Sequence, residues 1–187
     1  MIIRPMSDLH LEFDGHAPWY MPRIDGEENM VLVLAGDITA NHNRWKDNEA
    51  RDFYSPWIKD ACARHKAVIY IKGNHEDYQG HMESTEAHWK AMSEAIDNLH
   101  FLHRDVVVID GVRFIGCTLW TQLTPIQETM SGEMNDFNMI WVDGHIFNTQ
   151  DWRMEHEACR YFLDTEIAKD FDGETVVVTH HAPSFQS

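Results

Sequence analysis

Four short apolar runs, each ending on a cluster of polar residues, constrain this chain more than any other feature. Ile2–Ser7 leads into Asp8-Leu9-His10 and Met30–Leu34 into Gly36-Asp37. Ala67–Lys72 leads into Gly73-Asn74-His75-Glu76, and Glu174–Thr179 into His180-His181-Ala182-Pro183. Most of these runs are rich in β-branched or aliphatic residues, which favour strands. Between them lie stretches with helical periodicity. Arg51–Lys66 gathers Phe53, Trp57, Ala61 and Cys62 on one face, and Gly80–Asn98 gathers Met82, Trp89, Met92 and Ile96. Asp151–Asp170 is a third helical stretch. Val106–Ile109 and Val112–Cys117 flank Asp110-Gly111, a two-residue hairpin signal. Strands alternating with helices predict an α/β domain, and no repeat or Pro/Gly-rich linker divides it. Thr118–Gln150, rich in Met, Trp, Thr and Asn, reads as an irregular segment of a length usual for a lid or a substrate wall.

In an open α/β sheet, ligands gather at the C-terminal ends of the strands. Here those ends carry Asp, His and Asn, a mixture of carboxylate, amide oxygen and imidazole. Such donors suit manganese, iron, zinc or nickel rather than a thiolate zinc site. Single motifs of this kind are cheap. An Asp-x-His triplet is expected about once by chance in a chain of this composition, and Asp143-Gly144-His145 is read as such a structural copy in a turn. Gly-Asn-His is far rarer, at roughly 0.03 expected occurrences, so Gly73-Asn74-His75 carries the signal.

Charge sharpens the reading. With 15 basic against 31 acidic residues the 187-residue chain has a formal net charge of −16. Broad affinity for nucleic acid or an anionic membrane is therefore not expected. Any phosphate chemistry needs positive charge from elsewhere, and a pair of divalent cations would supply it. A two-metal site needs one carboxylate to bridge cations about 3.5–4 Å apart. Asp37 is the natural bridge, because Gly36 lets the backbone turn beneath it. Asp8 and His10 would complete one side, Asn74 and His180 the other. His75 need not be a ligand; imidazole is suited to protonating a leaving alkoxide near neutral pH. The longest strongly apolar run, Val31–Ala35, is far short of a membrane span of about 20 residues. The N-terminus lacks an apolar h-region, and Cys62, Cys117 and Cys159 are odd in number and scattered. Both features lead us to expect a cytoplasmic protein.

The ordered set Asp8-x-His10, Gly36-Asp37, Gly73-Asn74-His75-Glu76 and Thr179-His180-His181 resembles the calcineurin-like metallophosphoesterase superfamily over nearly the whole chain. The resemblance implies an α/β fold of two packed mixed β-sheets flanked by helices. It also implies two divalent metal ions, with manganese the first choice, and hydrolysis of a phosphate ester by a metal-bridged hydroxide. Metal-ligand roles pass by similarity to Asp8, His10, Asp37, Asn74 and His180, and a leaving-group or phosphate-contacting role to His75. His181 is expected to support the ligands from behind, and Asn41 and His42 to line the site. Glu76 reads equally as a first-turn acid of a helix or as a catalytic group. Asn135-Asp136-Phe137 reads equally as a substrate contact or as a capping or turn element.

The sequence departs from the family pattern in two places. The family's closing Gly-His-x-His motif does not occur, which leads us to expect a C-terminally incomplete domain with an open sheet edge available for self-association. Ala40 and Asn41 stand where the family's protein phosphatases carry Asp and Arg, which favours phosphodiesters or small phosphomonoesters as substrates. A catalytically weak member acting as a binding module and a nuclease are the alternative readings.

Overall fold

The computed structural model describes residues 1–13, 20–40 and 51–184. In chain order the regular elements begin with β1 (Ile2–Met6), β2 (Met30–Ala35), α1 (Arg51–Arg64), β3 (Ala67–Ile71), β4 (Gly80–His81) and α2 (Met82–Ala95). There follow β5 (Leu99–Phe101), β6 (Asp105–Ile109), β7 (Val112–Cys117), α3 (Pro125–Thr129), α4 (Asp136–Met139) and β8 (Ile140–Val142). The chain closes with β9 (His145–Ile146), α5 (Thr149–Ile167) and β10 (Glu174–Thr179).

β2 and β3 are nearly continuous apolar runs, and Val31–Leu34 and all of β3 are buried. Strands covered on both faces belong in the middle of a parallel sheet. They lie there, in the order β1-β2-β3-β5, with every pairing parallel. Parallel neighbours require crossovers: α1 carries the chain from β2 to β3 and α2 from β3 to β5. β1 tolerates Pro5, which cannot donate to a ladder, because it is an edge strand of this sheet. The second sheet runs β10-β7-β6. Asp110 (φ 49°) and Gly111 (φ 77°) make the left-handed two-residue turn that joins β6 to β7 as an antiparallel pair. β10 returns parallel to β7 after the α5 crossover.

Alternation along the strands divides the core. Val31, Val33, Ile69 and Ile71 face Leu102, Val112, Phe114 and Val178 between the two sheets. Leu32, Leu34, Val68 and Tyr70 face the other way, against Trp57, Ile58, Ala61 and Cys62 of α1 and Trp89 of α2. Tyr70 stacks on Trp89 with ring centroids 4.0 Å apart. The helix–sheet–sheet layering matches the expected fold, with three differences. The first sheet is wholly parallel rather than mixed. Its fourth strand, β5, is only three residues long, too short for a periodic signal. The Thr118–Gln150 segment is not irregular: it holds α3, α4 and the antiparallel pair β8–β9, and β8 pairs with β4 in a third, small sheet. That pairing also takes Gly80 and His81 out of the expected helix. Asp143 (φ 46°) and Gly144 (φ 80°) form the β8–β9 turn, so the second Asp-x-His copy is structural. No helix among the described residues is long and apolar enough to cross a membrane.

Candidate metal centre

The polar residues that follow β1, β2, β3 and β10 converge at one end of the two sheets. Past the ends of β1 and β2 the pairing continues as a short backbone zipper. Asp8 N–H donates to the Gly36 carbonyl, His10 N–H to that of Asp37 and Leu11 N–H to that of Ile38, each at 3.0 Å. Asp8 (φ 53°), His10 (φ 47°) and Asp37 (φ 53°) all sit in the left-handed region. Non-glycine residues held there cost on the order of 1–3 kcal/mol each and concentrate at functional sites. Two glycines make the approach possible. A Cβ on Gly36 (φ 86°) would lie 2.6 Å from His180 Nδ1, and one on Gly73 would overlap Asp37 Oδ1.

Asp37, 5% exposed, stands at the centre. Its Oδ2 lies 3.9 Å from His10 Nε2 and its Oδ1 lies 3.4 Å from His180 Nε2. The His75 N–H donates to the same Oδ1 at 2.9 Å. Donor atoms of Asp8, His10 and Asp37 lie within 4.8 Å of one another, close enough to share one ion. On the other side His180 directs Nδ1 at the Ala35 carbonyl, 2.9 Å away, which leaves Nε2 facing Asp37. A backbone acceptor on one ring nitrogen is the usual way to aim the other at a cation. Burial works against charge on His180, but Asp37 outweighs it and pushes the imidazole up to about 9. Asn74 commits its amide nitrogen to the Tyr78 hydroxyl (3.0 Å) and to Asp136 Oδ1 (2.9 Å), which leaves its oxygen for a ligand.

Two buried carboxylates outside the expected ligand set brace this site. The Glu12 side chain is fully buried, and it accepts from the Ala40 N–H at 3.1 Å. Its Oε1 lies 3.0 Å from His75 Nδ1 and 3.4 Å from His10 Nδ1. Burial opposes its charge, yet the His75 hydrogen bond holds it below the usual carboxylate range. His75 is raised in turn, against its own burial, by Glu12. Glu76, 1% exposed, lies in the first turn of the 3-10 helix His75–Asp77, as one of its two expected readings had it. It accepts from the backbone N–H groups of Asp37 (3.0 Å), Ile38 (2.9 Å) and Gly73 (2.7 Å) and from the Tyr70 hydroxyl (2.8 Å). It thus ties the β2 exit to the β3 exit. Burial, then the charge of Asp37, pushes its carboxyl up. Glu12, two residues beyond His10, sits on the 3-10 turn Leu11–Phe13 that follows it; a carboxylate so close to a candidate ligand was the signal available in sequence.

His181 stands behind the centre, its ring edge-on to that of His180 with centroids 5.0 Å apart. Its ring stacks on Trp120 with centroids 5.2 Å apart, and its N–H donates to the Thr118 carbonyl at 3.1 Å. Burial and the neighbouring His180 push it down to about 4, so it is neutral near pH 7. Asn41 and His42 lie outside the described residues. Phe13, 68% exposed, stands at the rim with its ring 5.9 Å from His10 and 6.4 Å from His75.

The model of the calcineurin-like phosphoesterases matches residues 6–185. The chain belongs to that family. Among solved structures, this family member is similar to the phosphopantetheinyl hydrolase of Mycobacterium tuberculosis. The TM-score is 0.61 at 15% identity, over 97% of this chain and 68% of that one. A 53-residue stretch, 28% of the chain, is 24% identical to human bone morphogenetic protein 10 and spans 12% of that protein's length. The family implies divalent metal ions, and the donors present fit them: carboxylate oxygens, an amide oxygen and imidazole nitrogens, with Asp37 turning one oxygen to each side. Membership supports hydrolysis of a phosphoester as the general activity.

Proposed function

We propose that the chain hydrolyses a phosphodiester or a small phosphomonoester at a pair of divalent cations. Asp8, His10 and Asp37 would hold one cation, and Asp37, Asn74 and His180 the other. The observation that carries this reading is the division of Asp37, whose two oxygens face histidines delivered by different sheets. Manganese is the first ion to test, with iron, zinc and nickel as alternatives suited to the same donors. When bound, the cations supply Lewis acidity to the phosphoryl group and activate water.

The chain's own residues do the rest. Asp37 and Glu76 hold the loops of β2 and β3 against each other, so the donors are positioned before substrate arrives. Glu12 accepts from His75 Nδ1, which orients the ring and favours its protonated form. Nε2 of His75 is then the proton donor to the departing alkoxide. The chain's net charge of −16 makes a nuclease the weaker alternative.

The test is hydrolysis by Mn²⁺-loaded chain, after chelator stripping, across diesters, monoesters, oligonucleotides and phosphopantetheinyl esters. The last are included because the fold is shared with a phosphopantetheinyl hydrolase. Asp37→Ala should lose both ions and all turnover. An Asp37→Ala protein with wild-type metal-dependent activity would overturn the proposal.

A further inference from the structure

Asn74 is a proposed ligand that can face the centre with either end of its side chain. A primary amide presents an oxygen at one end and an NH₂ at the other, nearly equal in size, and only the oxygen can bind a cation. What decides between them is the set of groups behind the amide. Asp136 Oδ1 lies 2.9 Å from Asn74 Nδ2, and the Tyr78 hydroxyl lies 3.0 Å from the same nitrogen. An ionised carboxylate only accepts hydrogen bonds, so it selects the NH₂ end and turns the oxygen away from itself. Asp136 is 6% exposed, and Tyr78 is buried and stacked on His75 at 4.2 Å, so water does not substitute freely for either.

Asp136 opens α4, 62 residues along the chain from Asn74, inside the segment that sequence left irregular. That segment is docked next to Asn74 by other bonds as well. Gln79 N–H donates to the Met139 carbonyl at 2.6 Å, and β4 pairs with β8 at Gly80–Ile140 and His81–Trp141. A helix-capping role does not account for the carboxylate, because Asn135 is the N-cap position of α4 and no side-chain cap is made there.

We propose that Asp136 is a positioning residue for the metal centre, aiming the Asn74 oxygen at the Asn74–His180 side and coupling occupancy of that side to docking of the 118–150 segment. The inference rests on the reading of Asn74 as a ligand. Coupling of this kind is reciprocal: a docked segment strengthens the ion, and the ion in turn strengthens docking. The Asp8–His10–Asp37 side makes no hydrogen bond to Asp136 among those described.

The test is Mn²⁺ binding to chelator-stripped wild type, Asn74→Ala, Asp136→Ala and Asp136→Asn, followed by amide hydrogen exchange with and without saturating Mn²⁺. Wild type should bind two ions and Asn74→Ala one. Asp136→Ala should weaken that same ion by about 10-fold or more, the range for groups that orient a ligand. Asp136→Asn keeps one accepting oxygen beside an NH₂ and should weaken the ion less than Asp136→Ala does. Mn²⁺ should slow exchange over residues 136–142 in wild type and not in Asp136→Ala. Wild-type affinity for both ions in Asp136→Ala would overturn the inference. So would exchange in wild type that Mn²⁺ leaves unchanged, a measurement that needs no variant to fold. Two ions retained by Asn74→Ala would instead overturn the ligand assignment of the preceding section.

Discussion

The two sides of the proposed metal centre are built by different means. The Asp8–His10–Asp37 side is held by backbone: three successive main-chain hydrogen bonds at 3.0 Å zip the β1 exit to the β2 exit, and three left-handed residues fix the side-chain directions. The Asn74–His180 side is held by groups brought from elsewhere, Asp136 and Tyr78 behind one ligand and the Ala35 carbonyl behind the other. A backbone zipper is local and resists distant change. A side assembled from packed segments inherits their stability. Damage to the core beneath the 118–150 segment should therefore strike one side and spare the other.

Trp120 offers the largest test of that difference. It is fully buried, stacks on His181, and meets Trp152 and Phe147 in the core beneath the 118–150 segment. Trp120→Ala should cost about 3–5 kcal/mol in unfolding free energy, measured by denaturant titration. In the surviving folded protein the Asn74–His180 ion should weaken while the other persists. Equal loss of both ions would erase the distinction between the sides.

Glu12 probes the backbone-held side without touching its zipper. Glu12→Gln keeps the volume but not the charge that His75 meets at 3.0 Å. Turnover of alkyl phosphate esters, whose leaving groups need a proton, should fall by about 100-fold, the scale of a general acid. Nitrophenyl esters, with good leaving groups, should change by less than about threefold. A uniform fall across leaving groups would assign Glu12 to metal support through His10 instead.

The smallest effect lies away from both sides. Glu27 accepts from Arg64 Nε at 2.8 Å and Nη2 at 2.7 Å, and this pairing holds its carboxyl down at about 2. A group depressed on folding adds stability above its ordinary value of 4.5 and loses it as pH falls toward 2. Wild type should therefore lose more of its thermal midpoint than Arg64→Met between pH 5 and pH 2. Parallel pH profiles would show that the pair is not linked to folding. Neither protein should differ in Mn²⁺ stoichiometry at neutral pH.

Much of this could be read before folding. β2, β3, β7 and β10 ended within a residue of where their apolar runs end, because buried strands leave a compositional mark. The Asp110-Gly111 hairpin followed from turn chemistry alone. β5 and β8 did not show, since a three-residue strand carries no period and exists only where a neighbour accepts its hydrogen bonds. His180 and His181 illustrate the same boundary. They are adjacent and chemically identical, and the alternation of a strand exit sends one toward Asp37 and the other onto Trp120.

Sequence by itself determined which strand ends carry donors, that Asp37 follows a glycine able to turn beneath it, and that the net charge of −16 makes added cations the natural partner of phosphate. Only the tertiary structure decided what those donors lean on. Glu12 meets His75 across 63 residues, Glu76 meets Ile38 across 38, and Asp136 meets Asn74 across 62. A polar side chain's partner is set by which buried groups would otherwise go without a hydrogen bond. That is settled only when the sheets pack and water leaves.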